Sequence, residues 1–327
     1  MMTATTAMTE LYARLDTIGI KKSFARKMLP DWWDDSIATT AAGLQQAQLY
    51  FAKAFNLEFA SLMGAQPAPC FQQVAHKFKL NKKVTEEQVS ASAHYATATA
   101  RLALQAVRPA YQAPPTNPIA LRERILKSNS CIDLPALLTW CAESGIPVLH
   151  IEKLPARKMM GLAIRMENRF AIVLSWKAHP SELLFHLAHE LGHIAKNHLS
   201  SDGFLLDETI GKGDDADEKE ADAYAIRLLN GTEIGYRADG FLNASQLYQA
   251  AQTVSLAKQV DVGHVILNYG HTQQQFGVAK SALKLVEGES CGATIVNAKL
   301  FATLDYEAIS EDQLARLHTA THYPTPD

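Results

Sequence analysis

Three side chains in the segment SELLFHLAHELGHIAKNH (residues 181–198) stand where they could share one metal ion. His189, Glu190 and His193 spell His-Glu-x-x-His. On a helix, residues four apart lie one turn above each other, so both imidazoles can reach a single ion. The glutamate beside the first histidine is then within reach of a water on that ion. Zinc lowers the pKa of such a water toward about 7, and a nearby carboxylate takes its proton as it attacks a carbonyl carbon. The bland alternative is an amphipathic helix with exposed polar residues. With 12 histidines in 327 positions, chance gives on the order of 0.02 such motifs in the chain.

A catalytic zinc takes three protein ligands and leaves one position for water. The acidic segment DDADEKEADAYAIRLL (214–229) offers the third. Glu218, Ala221, Asp222 and Ala225 share one helical face, and the alanines allow another helix to approach closely. Glu218 is the favoured ligand, and Asp222 can accept the free ring N–H of a ligating histidine. Glu220 is the rival, about 200° away from Glu218 on an ideal helix. The alternative for this segment is a capping box, with Asp215 at the N-cap and Glu218 at N3. His186 and His198 flank the motif and read as supporting or solvent-facing histidines.

AHELGH followed by E-x-E-A-D-x-Y-A-x-x-L-L resembles the ImmA/IrrE family of zinc metallopeptidases over about residues 130–270, with Tyr224 at the family's aromatic position. The resemblance implies an α+β fold with a zincin-like metallopeptidase core, ligands His189, His193 and Glu218, and Glu190 as general base. It also implies a substrate: family members cut a partner helix-turn-helix repressor in stress, DNA-damage or phage responses, some of them responding to single-stranded DNA. In several members additional domains follow the peptidase, whereas the helical extension here precedes it. The alternative reading is a DNA-binding transcriptional regulator whose zinc site is structural or vestigial. Glu190 speaks against that, because a purely structural site has no use for it.

The elements that must hold these residues follow from periodicity and breakers. Apolar positions Leu183, Leu184, Leu187, Leu191 and Ile194 predict a helix from Ser181 to about His198, and a second runs from Asp217 to Leu229. Before them come a helix over Leu134–Glu143, a strand over 146–151 and a hairpin of 161–166 and 170–176 around Glu167-Asn168-Arg169. The second hairpin strand could pair with an extended substrate. Residues 201–217 read as a Gly/Asp-rich loop and 291–304 as a strand. Thr85 with Gln88 opens a long helix that stops before Pro109. The chain divides into an N-terminal helical domain (1–65) that could hold a helix-turn-helix, a basic and helical connector (66–120), the peptidase core (121–235) and a mostly helical extension (236–327).

The net charge is −3, but it is unevenly placed. Residues 1–127 carry 15 Lys+Arg against 9 Asp+Glu, or +6, and the remainder carries −9. That front half is expected to meet something anionic, with Lys77, Phe78, Lys79, Lys82 and Lys83 as candidate nucleic-acid contacts. The competing reading of HKFKLNKK is a solvated loop. Apolar residues make up 47% of the chain, which excludes a disordered protein. Four scattered cysteines without a CxxC pair fit a reducing, cytoplasmic setting, and no run suits a membrane span or secretory signal. Cys70, in a Pro-flanked linker, could reach the open zinc position as an inhibitory ligand; the alternative is an ordinary free cysteine.

Overall fold

A computed structural model describes residues 4–64, 68–73, 75–79, 84–176, 178–199, 201–207, 216–286 and 291–324. Its centre is a five-stranded sheet of β1 (Ala75–Lys79), β2 (Val148–His150), β3 (Gly161–Met166), β4 (Arg169–Leu174) and β5 (Gly203–Asp207). The order is β1-β5-β3-β4-β2, with β3 antiparallel to both neighbours and the two outer pairs parallel. Glu167 and Asn168 join β3 to β4 with φ of 50° and 61°, the left-handed backbone that a tight two-residue hairpin turn needs.

Residues along these strands alternate between two apolar cores. Leu162, Ile164, Ala171 and Val173 point to one, whereas Ala163, Phe170, Ile172 and Leu174 point to the other. A sheet buried on both faces needs helices on both. The first face is covered by α1 (Ala4–Thr17), α2 (Lys22–Ala25), α3 (Ala41–Phe55), α4 (Phe59–Met63) and α5 (Glu86–Gln105). The second face carries α6 (Pro118–Leu126), α7 (Leu134–Glu143), α8 (Pro180–Ala195) and α9 (Ala216–Asn230). A smaller apolar cluster holds together α10 (Ala244–Lys258), α11 (Val262–Thr272) and α12 (Phe276–Leu283), which meet α8 through α11. Finally α13 (Gly292–Thr303) and α14 (Glu311–Thr321) return Leu300, Phe301 and Leu317 to the first core. Helices α1–α5 therefore share one core with a face of the sheet and with α13 and α14.

Four expectations change. The 291–304 segment is not a strand but carries helix α13 (Gly292–Thr303), because Val296, Asn297, Leu300 and Phe301 bury one helical face. The 201–217 segment contains β5, which threads between β1 and β3. HKFK (76–79) lies in the edge strand β1, not in a loop between helices; Lys77, Phe78 and Lys79 lie on it, and Lys82 and Lys83 lie outside the described residues. Helices α2 and α4 do not serve as the recognition helix that the possible helix-turn-helix requires. They have 4 and 5 residues, about 6–8 Å of axis, too short to read a groove. Some of the basic surplus of the front half is also used internally. Arg14 donates to the carbonyls of Ser61 and Leu62, Lys21 pairs with Asp16, and Lys22 sits over the Tyr12 ring.

Arg122 is the most heavily engaged of these cations. Its guanidinium is buried and donates to the carbonyls of Leu228, Leu229, Lys258 and Gln259. These are the C-terminal carbonyls of α9 and α10, where helix dipoles place partial negative charge. Arg122→Met should therefore cost about 3–5 kcal/mol of unfolding free energy, since buried carbonyls lose a charged donor. Urea titration checks this, and Lys at 122 should not restore the loss, because an ammonium cannot fork across four carbonyls.

Candidate metal centre

Helix α8 begins at Pro180 in the N1 position, with the His179 ring accepting from Ser181 N–H and the Glu182 carboxylate accepting from His179 N–H. Its apolar stripe, Leu183, Leu184, Leu187 and Leu191, is fully buried against the sheet. That docking turns His189 and His193 toward α9. The two helices touch where α8 has Gly192: a Cβ there would lie 3.0 Å from the Ala221 Cα and carbonyl oxygen and 3.2 Å from the Tyr224 Cβ. Glycine lets the backbones come this close without pushing the neighbouring helix outward. Helix α9 is held at its C-terminal end by Arg122 and near its middle by the Tyr224 hydroxyl, which donates to the Pro115 carbonyl at 2.9 Å.

This crossing brings three ligand groups together. His189 Nε2 and His193 Nε2 are 3.0 Å apart, and the Glu218 carboxylate oxygens stand 3.5 Å from the first and 3.3 Å from the second. Ligands about 2.0–2.1 Å from a tetrahedral ion lie about 3.3 Å from one another, so the spacing suits one ion held by all three. Among the described residues this is the one such group of His, Cys, Asp and Glu, and all three members are buried. It can bind a metal ion. Glu220 is elsewhere: 57% exposed, it bonds His198 and approaches Lys196.

Each histidine is also held from behind. His189 Nδ1 lies 2.8 Å from Asp222 Oδ1. His193 Nδ1 lies 2.8 Å from His198 Nδ1, and His198 Nε2 lies 3.1 Å from Glu220 Oε2. His198 reaches this position because α8 ends three residues earlier than its sequence suggested. Asn197 takes φ 57°, and His198 N–H bonds back to the His193 carbonyl while Asn197 N–H bonds to that of Ile194. This paired closure folds the chain back over the last turn. An asparagine after a basic residue was the available signal.

Glu190 is fully buried one residue from His189, and its carboxylate lies against Gly161 at the start of β3. A Cβ at position 161 would overlap Glu190 Oε1. Nothing in the sequence near 161 signals this, because the contact joins a strand end to a helix across 29 residues. Burial, with the neighbouring His189, pushes His186 down to about 4, so this ring is neutral at pH 7.

Other expected site residues fall elsewhere. Cys70 has its backbone bonded to Ser61 and Glu58 beside α4 and is not part of the converging group. Strand β4 is paired with β3 along its length and with β2 at Ile172, Val173 and Leu174, so those three residues have no free edge for a substrate strand. Two tyrosines that could donate to a developing oxyanion are occupied otherwise: Tyr224 is committed to Pro115 and Tyr269 is buried among α10–α12. His271 sits edge-on to Phe276, and His264 Nε2 donates to Asn230 Oδ1 at 2.8 Å.

That buried His264 has a consequence for stability. Desolvation, with Arg122 nearby, pushes it from 6.5 to about 4. Between those values the unfolded chain takes up a proton that the folded chain refuses. Stability from this group is therefore complete above about pH 6.5 and lost as pH falls toward 4, by about 3 kcal/mol in total. In chelator-treated protein, His264→Gln should narrow the gap between melting temperatures at pH 7 and pH 4.5. An unchanged gap would remove His264 as its source.

No family model matches the chain, and no curated protein matches it.

Proposed function

We propose that the protein is a zinc-dependent metallo-endopeptidase with a zincin-like core that cleaves a partner regulatory protein, a helix-turn-helix repressor. The observation that carries this reading is the convergence of His189, His193 and Glu218, with Glu190 on the same turn of α8. Two imidazoles and one carboxylate are a donor set of catalytic zinc sites, which leave a fourth position open. A zinc ion held there supplies Lewis acidity, making a water nucleophilic near neutral pH and polarising a carbonyl. Glu190 accepts the proton of the attacking water and delivers it to the departing amine. Asp222 and His198 fix the ring planes of His189 and His193 so that their Nε2 atoms stay aimed at one point. The substrate class rests on the resemblance of the two motifs to ImmA/IrrE peptidases.

The zinc-loaded protein should be incubated with the helix-turn-helix protein encoded beside it, and new termini sought by mass spectrometry. Cleavage by wild type and none by Glu190→Gln is the expected result. A neighbour left intact by wild type, with and without single-stranded DNA and in DNA-damaged cells, would overturn the repressor assignment.

A further inference from the structure

We infer that His198 is a positioning residue of the metal centre, fixing the tautomer of His193 by accepting from its Nδ1–H while its own Nε2–H donates to Glu220. This rests on the metal reading above and deepens it. The Nε2 atom of His193 faces His189 Nε2 and Glu218, so it is the nitrogen that offers its lone pair to an ion. A neutral ring with that lone pair free carries its proton on Nδ1. The acceptor for that proton, 2.8 Å away, is His198 Nδ1. His198 must then be unprotonated at Nδ1 and protonated at Nε2, and this N–H points at Glu220 Oε2 at 3.1 Å, with Asp217 Oδ1 at 3.8 Å. Every donor meets an acceptor in this direction. In the reverse direction His193 would carry its proton on Nε2, against the other ligands, and the ring could not bind.

The result is an asymmetric pair of supports on α9. His189 donates its one N–H, on Nδ1, straight to Asp222, whereas the N–H of His193 reaches a carboxylate only by way of an intermediate histidine that donates in turn. His198 is 6% exposed at its side chain, against 57% for Glu220, so the chain of bonds runs from the buried group to the surface. Its placement depends on the folded-back end of α8 at Asn197, a feature of the local backbone rather than of the His-Glu-x-x-His motif.

The test measures zinc affinity by competition with a colorimetric chelator in wild type, His198→Phe and His198→Gln. Phenylalanine keeps the ring but cannot accept from His193, and the affinity should fall about 10- to 100-fold. Glutamine offers an acceptor oxygen and should recover most of that loss. Melting temperatures of the metal-free proteins, expected to agree, separate positioning from simple misfolding. Nitrogen-15 spectra of the zinc-loaded wild type should place the His198 proton on Nε2. Affinity in His198→Phe within twofold of wild type, or a His198 proton on Nδ1, would overturn the inference. Wild type that binds no zinc would instead overturn the metal reading on which it rests.

Discussion

Gly161→Ala should yield a folded, zinc-binding protein that has lost catalysis. Gly161 is an ordinary strand residue, paired with Leu174 and Asp207, and its backbone is not in the left-handed region. Alanine is therefore accepted by the strand itself. The added methyl, however, occupies the place of Glu190 Oε1. Because that atom ends a side chain with three rotatable bonds, it can swing aside at a cost of about 1 kcal/mol. Folding loses little, but the proton acceptor is displaced from the reacting water. Loss of a positioned general base costs about 10²–10⁴ in rate. Cleavage rate and zinc stoichiometry, measured on the same preparation, should separate: the first collapses and the second stays at one ion per chain. Unchanged cleavage would mean that the carboxylate is not the base, or does not act from beside Gly161.

Gly192→Val should do the opposite and strike the metal directly. The atoms an added Cβ would meet are the Cα and carbonyl oxygen of Ala221 at 3.0 Å, backbone that cannot swing away. The helices must part, at about 1–3 kcal/mol of stability. Parting them moves Glu218 and Asp222 together, because both ride on α9. Zinc affinity should fall by at least about 10²-fold, with catalysis falling alongside it. Gly277→Ala is the control, since nothing lies within 4 Å of a Cβ there; its affinity and stability should match wild type. A Gly192→Val protein with wild-type zinc affinity would mean that the crossing does not set the ligand spacing.

These two glycines mark how far the sequence was informative. The stripe of Leu183, Leu187 and Leu191 and the i, i+4 histidines are local regularities, so α8 and its ligands were readable directly. Glu218 was readable for a related reason: acidic and small residues share one face of α9, and only one face can approach α8. Gly161 was opaque, because its role arises from a strand end meeting a helix in three dimensions. His198 was visible but misplaced, since the helical pattern was extended through a turn that Asn197 closes. Strands β1 and β5 were lost in Lys-rich and Gly/Asp-rich stretches. Their parallel pairing of Ala75–Lys79 with Gly203–Asp207 joins segments far apart in the chain, and local propensity carries no trace of it. The strand expected over 291–304 failed in the other direction, with tertiary packing deciding for helix α13.

The most direct test of the metal centre is the zinc affinity of wild type beside Glu218→Ala and Glu220→Ala. Wild type should bind one zinc per chain, Glu218→Ala should lose affinity by about 10³-fold or more, and Glu220→Ala by no more than about 10-fold. A wild-type chain that takes up no zinc, or a reversed order of the two glutamates, would contradict a centre built from His189, His193 and Glu218.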